Sequence, residues 1–149
     1  MKDAVIHIHS IHNNGTEDDV IEFTTDGEYS FEAGVGRIRY MESEVTGIPG
    51  TQTCLEIRPD EVVVDRRGSI TSRMVFRRGE KNLFQYNTPY GMAIMGMDTR
   101  KIRHSFNEGG GSMEIDYILN VEHTVVARNQ FQVKVTEQKE NREKQTWQI

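Results

Sequence analysis

The feature that most constrains the fold of this chain is an alternation of apolar and polar residues with a period of two. In "SITSRMVFRRG", Met74 and Phe76 share one face, and Arg73 lies on the other. The segments "SMEIDYIL" and "TVVARNQFQVKVTE" repeat the pattern, with Val125 and Phe131 assigned to the buried face of the second. Because successive side chains of a strand point to opposite sides, each segment is predicted to be a strand with one buried face.

Turn signals separate these strands at short intervals, among them "TDGE", "RPDE", "RRGS" and "NEGGGS". Asp-Gly, Pro-Asp and Gly-rich clusters supply the backbone conformations of tight hairpins. An antiparallel meander of about eight to ten strands removes its unpaired edges by closing into a barrel. The prediction is an all-β protein with one barrel domain over residues 1–136, followed by a polar tail, 137–149, that is frayed or forms a short helix.

Charge and composition narrow the classes of partner. The net charge is −5, so the strongly basic face of a nucleic-acid-binding protein is not expected, and the arginine pairs at 66–67 and 77–78 are typical of hairpin ends. Cys54 is the one cysteine, which rules out an intramolecular disulfide framework. No segment approaches the roughly 20 apolar residues that cross a bilayer as a helix. We therefore predict a cytoplasmic protein without membrane insertion.

Several motifs in the middle of the chain resemble those of one family. The segments "RYMESEVTGIPGTQT" and "SRMVFRRGEKNLFQYNTPYG", and the Gly-rich turn before "MEIDYIL", look like those of the YwiB-like family of small bacterial proteins of unknown function. The resemblance runs from about Ile38 to Val135. It implies a calycin-like barrel, related to lipocalins and fatty-acid-binding proteins, whose interior often holds a small apolar ligand. It implies no catalytic residue.

Polar residues on the inward faces of predicted strands are candidates for ligand contacts. The alternation turns His104, Tyr117 and Asn129 inward, and Tyr86 shares the face of Phe84. A few converging polar groups in an apolar cavity are the usual composition of a small-molecule site. The alternative is that these groups satisfy one another or reach water at the mouth of the barrel.

Two carboxylates form a second candidate set. Glu42 and Glu44 lie two residues apart on a predicted strand, so both side chains would be on one face. If they point inward, they need a cationic partner, and the candidates are Arg37, Arg39, Arg66 and Arg73. Paired carboxylates can act as general acid and base, but a structural ion pair near the barrel end is the favoured interpretation.

The segment "FQYNTPYGMAIMGMD" carries apolar residues on both faces. Pro89 predicts a corner, after which Tyr90 and Met92 share one face and Met95 and Met97 the other. Methionine adapts to irregular surfaces, so this segment could line a ligand cavity, fill the core or form a homodimer contact.

Three functions stay open. The first is noncatalytic binding of a small, largely apolar ligand inside the barrel. The second is a structural or regulatory interaction module with a packed barrel, including a homodimer. The third and weakest is an enzyme that uses Glu42, Glu44 or His104. No cofactor or metal is expected, since the His7 and His9 pair lacks further ligands at a fixed spacing.

Overall fold

The computed structural model describes residues 1–138. Their secondary structure is almost all strand, together with one turn of 3-10 helix, η1 (Glu44–Thr46). The strands are β1 (Lys2–Asn13), β2 (Asp18–Glu32), β3 (Val35–Met41), β4 (Gln52–Ile57), β5 (Val62–Arg67), β6 (Thr71–Phe76), β7 (Lys81–Thr88), β8 (Gly91–Asn107), β9 (Gly110–Val121) and β10 (Thr124–Glu137).

Each strand pairs antiparallel with its neighbours in the chain, and the ten strands form a closed barrel. The ladder between β1 and β10 closes it, from Ala4 opposite Glu137 to Asn13 opposite Arg128. The prediction of an all-β antiparallel barrel is confirmed, with a strand number at the upper limit of the expected range.

The core fills the interior because the strands alternate as the sequence predicts. In β10, Phe131, Val133 and Val135 are buried, and the residues between them are exposed. The largest fully buried side chains belong to Tyr29, Phe76, Ile6, Ile38, Leu55, Met97, Ile115, Val62, Val64 and Val133.

The two ends of the barrel differ, and each is named here for one residue. The Glu42 end carries the connections β1–β2, β3–β4, β5–β6, β7–β8 and β9–β10. The Gly34 end carries the other four connections and residue Lys2. The longest connection is β3–β4 at the Glu42 end, where Ser43 caps η1 by accepting a hydrogen bond from the backbone N–H of Val45 and Gly47 ends it in a left-handed conformation.

Two β-bulges change the alternation of buried and exposed side chains, and the periodicity of the sequence does not reveal them. One lies in β8 between Thr99 and Lys101, and the other lies in β10 between Val125 and Ala127. A bulge adds one residue to one strand and moves the following side chains to the other face. The assignment of Val125 to the buried face is therefore wrong, and its side chain is exposed.

The pairing between β6 and β7 is short. It comprises Thr71 opposite Asn87 and Ser72 opposite Tyr86, after which the strands separate. The side-chain amide of Asn82 bridges the gap by donating to the carbonyl oxygen of Val75 at 3.0 Å. We call this region, residues 73–76 and 81–85, the open seam.

The predicted tail lies outside the described residues from 139 onward. Its first two residues are Glu137, which ends β10, and Gln138, whose backbone N–H donates to the carbonyl oxygen of Asp3 at 3.1 Å. Within residues 1–138 the structure has no helix long and apolar enough to span a membrane.

Candidate functional site

A belt of polar side chains runs around the inside of the barrel. Its first half lies on five adjacent strands, where consecutive members are directly opposite each other in the ladders: Tyr40, Thr53, Arg66, Ser72 and Tyr86. Directly opposite residues of antiparallel strands point to the same side of the sheet. That side is the interior, because Thr53 and Ser72 are buried and lie on the same faces of their strands as core residues.

The second half of the belt crosses the remaining wall in the same way. His12 lies opposite Asn129, Asn129 opposite Tyr117, and Tyr117 opposite Thr99. Asn129 and Thr99 are buried. The nine residues of the two halves are called the polar belt below.

Glu42 adds a buried carboxylate to the first half of the polar belt. It follows β3, and its backbone N–H still donates to the carbonyl oxygen of Thr51 at 2.8 Å, which keeps its side chain turned inward. Its Oε1 accepts a hydrogen bond from the hydroxyl of Thr53 at 2.7 Å. The same oxygen lies 3.9 Å from Nε of Arg66, so the two charges compensate each other inside the barrel.

His12 connects three residues on the other side. Its Nδ1 is hydrogen-bonded to Oδ1 of Asn129, an acceptor, so Nδ1 is the protonated ring nitrogen. Nε2 is hydrogen-bonded to the hydroxyl of Ser10 at 3.0 Å. This arrangement satisfies the carbonyl oxygen of Asn129 and leaves its NH₂ group directed elsewhere.

The two tyrosines of the belt that stand nearest the buried charges hold their protons firmly. Burial raises the pKa of Tyr40, and the carboxylate of Glu42 raises it further. Burial also raises the pKa of Tyr117, although the charge of Arg66 acts in the opposite direction. The ring of Tyr117 packs edge-on against Phe76 at a centroid distance of 4.9 Å.

Four buried polar atoms of the belt have no hydrogen-bond partner among residues 1–138. They are Nε of Arg66, Oγ of Ser72, Oγ1 of Thr99 and Nδ2 of Asn129. A buried polar group without a partner costs about 1–3 kcal/mol, and such groups in folded proteins usually bind water or a ligand. The interior of the belt can therefore accept hydrogen-bonding groups that the chain itself does not supply.

The structure brings four of the nine predicted site residues to the polar belt or beside it. Tyr86, Tyr117 and Asn129 are members of the belt, and Glu42 contacts it through Thr53. His104 also faces inward, since it lies opposite buried Met113. However, it is at the Gly34 end, where its Nε2 is 3.3 Å from the carbonyl oxygen of Pro59.

The other four predicted site residues lie elsewhere. The expectation that Glu44 shares a face with Glu42 is wrong, because β3 ends at Met41 and Glu44 begins η1 with an exposed side chain. Arg73 points outward and forms an ion pair with Asp65 at 3.4 Å. Tyr90 and Met92 are exposed on the outside of the β7–β8 hairpin.

Sequence reasoning named Arg66 only as one of four candidate partners of the carboxylates, and it did not single out Ser72 or Thr99 as site residues. The signal for Arg66 and Ser72 was present, because each continues the phase of buried residues on its own strand, Val64 and Met74 respectively. The signal for Thr99 was also present, since it lies two residues after buried Met97 and before the bulge.

Two grooves lie on the outside of the barrel. A groove of about 520 Å³ crosses β1, β10, β9 and β8 and includes His7 and His9. His7 is bound to Thr24 and lies 3.3 Å from Glu22, and no cluster of three metal-ligating side chains occurs in the described part of the chain. A groove of about 900 Å³ follows the open seam and includes Leu83 and Ile94.

Comparisons with known proteins agree with the barrel. A family model described as "Domain of unknown function (DUF1934)" matches residues 6–133. The uncharacterized beta-barrel protein YwiB of Bacillus subtilis (strain 168) is 25% identical over 116 residues, which cover 78% of this chain and 80% of that protein. The crystal structure of the Bacillus subtilis ywiB protein superposes with a TM-score of 0.82 at 20% identity, covering 92% of each chain.

Proposed function

This chain belongs to the DUF1934 family, and from that premise we propose that it binds a small, largely apolar molecule inside its barrel without transforming it. The observation that carries the proposal is the set of four unpartnered polar atoms in the polar belt. Their burial without partners costs free energy, and a bound molecule that carries hydrogen-bonding groups would remove this cost.

The apolar surroundings of the belt support an occupant that is mostly hydrocarbon. Met74, Met95, Met97 and Met113 belong to the core or pack against it. Methionine side chains are flexible and adjust to irregular shapes, so they can make room for a guest and close over the space when it leaves. A calycin-like relationship, as the motifs predict, would fit the same role.

An enzyme is the weakest alternative. Glu42 and His104 are separated by the length of the barrel interior, and Glu44 is outside it. General acid–base catalysis requires its groups within hydrogen-bond reach of one reacting molecule. We therefore propose a binding protein, and we place it in the cytoplasm as the sequence predicts.

Native mass spectrometry of the protein purified gently from its own host tests the proposal. We expect a stoichiometric additional mass that disappears when the protein is denatured, and its value identifies the class of the ligand. A bare protein mass, together with no binding of the neutral apolar dye N-phenyl-naphthylamine, would show that the interior is closed to ligands.

A second candidate function rests on the outside of the β7–β8 hairpin. Leu83 is 77% exposed and Tyr90 is 100% exposed, and Met92 and Ile94 lie beside them on the same hairpin. Contiguous exposed apolar side chains often mark a protein contact. The occupant favoured here is a second copy of the chain, in a homodimer.

Sedimentation velocity over a range of protein concentrations tests the homodimer. We expect the dimer fraction to rise with concentration and to be lost in Leu83→Lys, because a charge would be buried in the contact. Val20→Lys changes an exposed valine of the β1–β2 hairpin and is the matched control. A monomer at every concentration would rule out this contact.

A further inference from the structure

The chemical character of the unpartnered atoms specifies one end of the guest. Nε of Arg66 and Nδ2 of Asn129 are hydrogen-bond donors that cannot accept. The hydroxyls of Ser72 and Thr99 can donate as well. All four unpartnered atoms can therefore donate, whereas only the two hydroxyls can also accept.

Two strong acceptors at the belt are already occupied. Oε1 of Glu42 accepts from Thr53, and Oδ1 of Asn129 is bound to His12. The distance of 3.9 Å between Oε1 of Glu42 and Nε of Arg66 is too long for a hydrogen bond, so the ion pair leaves that donor unsatisfied. Another nitrogen of the guanidinium, Nη1, contacts only a weak acceptor, Sδ of Met74, at 3.8 Å.

Resting on the proposed function, we propose that the guest carries a hydrogen-bond-accepting oxygen, a carboxylate or a carbonyl, and binds with that end at the polar belt and its apolar body against the core. Arg66 is the residue that discriminates against a cationic end, and Thr99 adds a further donor. Arg66 supplies a charged donor, which forms stronger hydrogen bonds than a neutral one, and Thr99 supplies a neutral hydroxyl. A guest with a cationic, donor-only end meets a positive guanidinium and unsatisfied N–H groups.

A series of molecules with alkyl bodies of seven or eight carbons and different ends tests this specificity. The series is octanoate, methyl heptyl ketone and octylammonium, each titrated against protein that carries N-phenyl-naphthylamine. We expect octanoate and the ketone to displace the dye at concentrations about tenfold lower than octylammonium, which corresponds to one or two hydrogen bonds. The ratio of the concentrations at which octanoate and the ketone displace the dye then shows whether the site prefers a carboxylate or a neutral carbonyl.

Thr99→Val removes one donor while it keeps the shape of the side chain. We expect it to weaken octanoate or the ketone by about fivefold, the value of one hydrogen bond, with the affinity for the dye measured directly in the same variant. Thr136→Val is the matched control, because Thr136 is an exposed residue on the outside of β10. We expect it to change neither affinity.

The outcomes separate the two proposals. If the dye binds and octylammonium displaces it as well as octanoate does, the guest specificity is wrong and the binding function stands. If Thr99→Val and Thr136→Val bind octanoate equally, the polar belt is not where the guest's oxygen lies. If neither the dye nor any member of the series binds, both proposals fail.

Discussion

Two threonines inside the barrel show how one residue type can have opposite effects on stability. Thr53 and Thr99 are both 0% exposed and both belong to the polar belt. The hydroxyl of Thr53 donates to Glu42 at 2.7 Å, whereas the hydroxyl of Thr99 has no partner among residues 1–138. The difference between them is one hydrogen bond at equal burial.

We expect Thr53→Val to lower the free energy of unfolding by about 2 kcal/mol, because it leaves a buried carboxylate without its donor. Thr99→Val removes a desolvated hydroxyl and keeps the volume, so it should raise the free energy of unfolding of the ligand-free protein by about 1 kcal/mol. Urea denaturation of the two variants beside the parent measures both. Equal losses in the two variants would mean that a bound water satisfies Thr99.

Three buried tyrosines predict loss of stability at alkaline pH. Burial raises the pKa of Tyr29 from 10.0 to about 12 and also raises the pKa values of Tyr40 and Tyr117. Above pH 10.0 the unfolded tyrosines release protons that the folded ones keep, so the folded state binds more protons and its stability falls as pH rises. Below that pH the contribution of these groups is complete.

Tyrosinate absorbance and urea denaturation, followed together above pH 10.0, measure this effect. We expect Tyr117→Phe to reduce the slope of unfolding free energy against pH, since it removes one of the groups that titrate differently in the two states. An unchanged slope in this variant would show that Tyr117 ionises normally in the folded protein.

The alternation of residues predicted some members of the site and hid others. Tyr117 and Asn129 lie on strands without an intervening bulge at that point, so their inward placement follows from apolar neighbours at even spacing. Glu44 was misplaced because the chain leaves β3 at Met41 and Ser43 caps η1, a local hydrogen bond that competes with strand pairing. Alternation does not show which buried polar atoms lack hydrogen-bond partners, because their possible partners lie on strands that are distant in the sequence.

At the scale of elements, the open seam is the part of the barrel wall with the fewest main-chain hydrogen bonds between neighbours. The amides of the open seam that face the gap between β6 and β7 lack the ladder of hydrogen bonds that β8 and β9 have along their length. Hydrogen exchange follows local opening, which is easiest where such bonds are few. Sequence patterns do not indicate the seam, because β6 and β7 alternate as regularly as their neighbours.

We expect amides that face the open seam to exchange by local opening, much faster than the amides of the β8–β9 ladder. Hydrogen–deuterium exchange followed by NMR resolves the two sets, and the β1–β10 ladder is the internal control for exchange through global unfolding. Equal protection of the seam and these ladders would mean that β6 and β7 pair fully in solution.

For the whole molecule, the two ends of the described chain meet at the closing ladder. Nζ of Lys2 lies 3.6 Å from a carboxylate oxygen of Glu137, and the backbone of Gln138 is bound to Asp3. Chain ends that lie this close can be joined without strain and the chain opened elsewhere. The β9–β10 turn is a suitable opening point, since Glu122 and His123 are exposed and both have positive φ.

We therefore expect a permuted chain that starts at His123 and ends at Glu122, with a flexible linker between the former ends, to form the same barrel. Far-ultraviolet circular dichroism and a cooperative urea transition like that of the parent would establish this. A permutant opened between Ile38 and Arg39, inside β3, is the control that should not fold. An unfolded chain in the first case would show that the β9–β10 turn is required to start the barrel.

The closing ladder also has a consequence for biosynthesis. Of the ten described strands, β1 is the first to leave the ribosome and β10 is the last, yet each is the neighbour that the other needs. Until Glu137 has emerged from the exit tunnel, the nascent chain is an open sheet whose outer strands offer unpaired N–H and C=O groups to other chains. We expect the barrel to close only after β10 has left the ribosome, so that until then the cell must keep neighbouring nascent chains apart, by chaperones or by spacing.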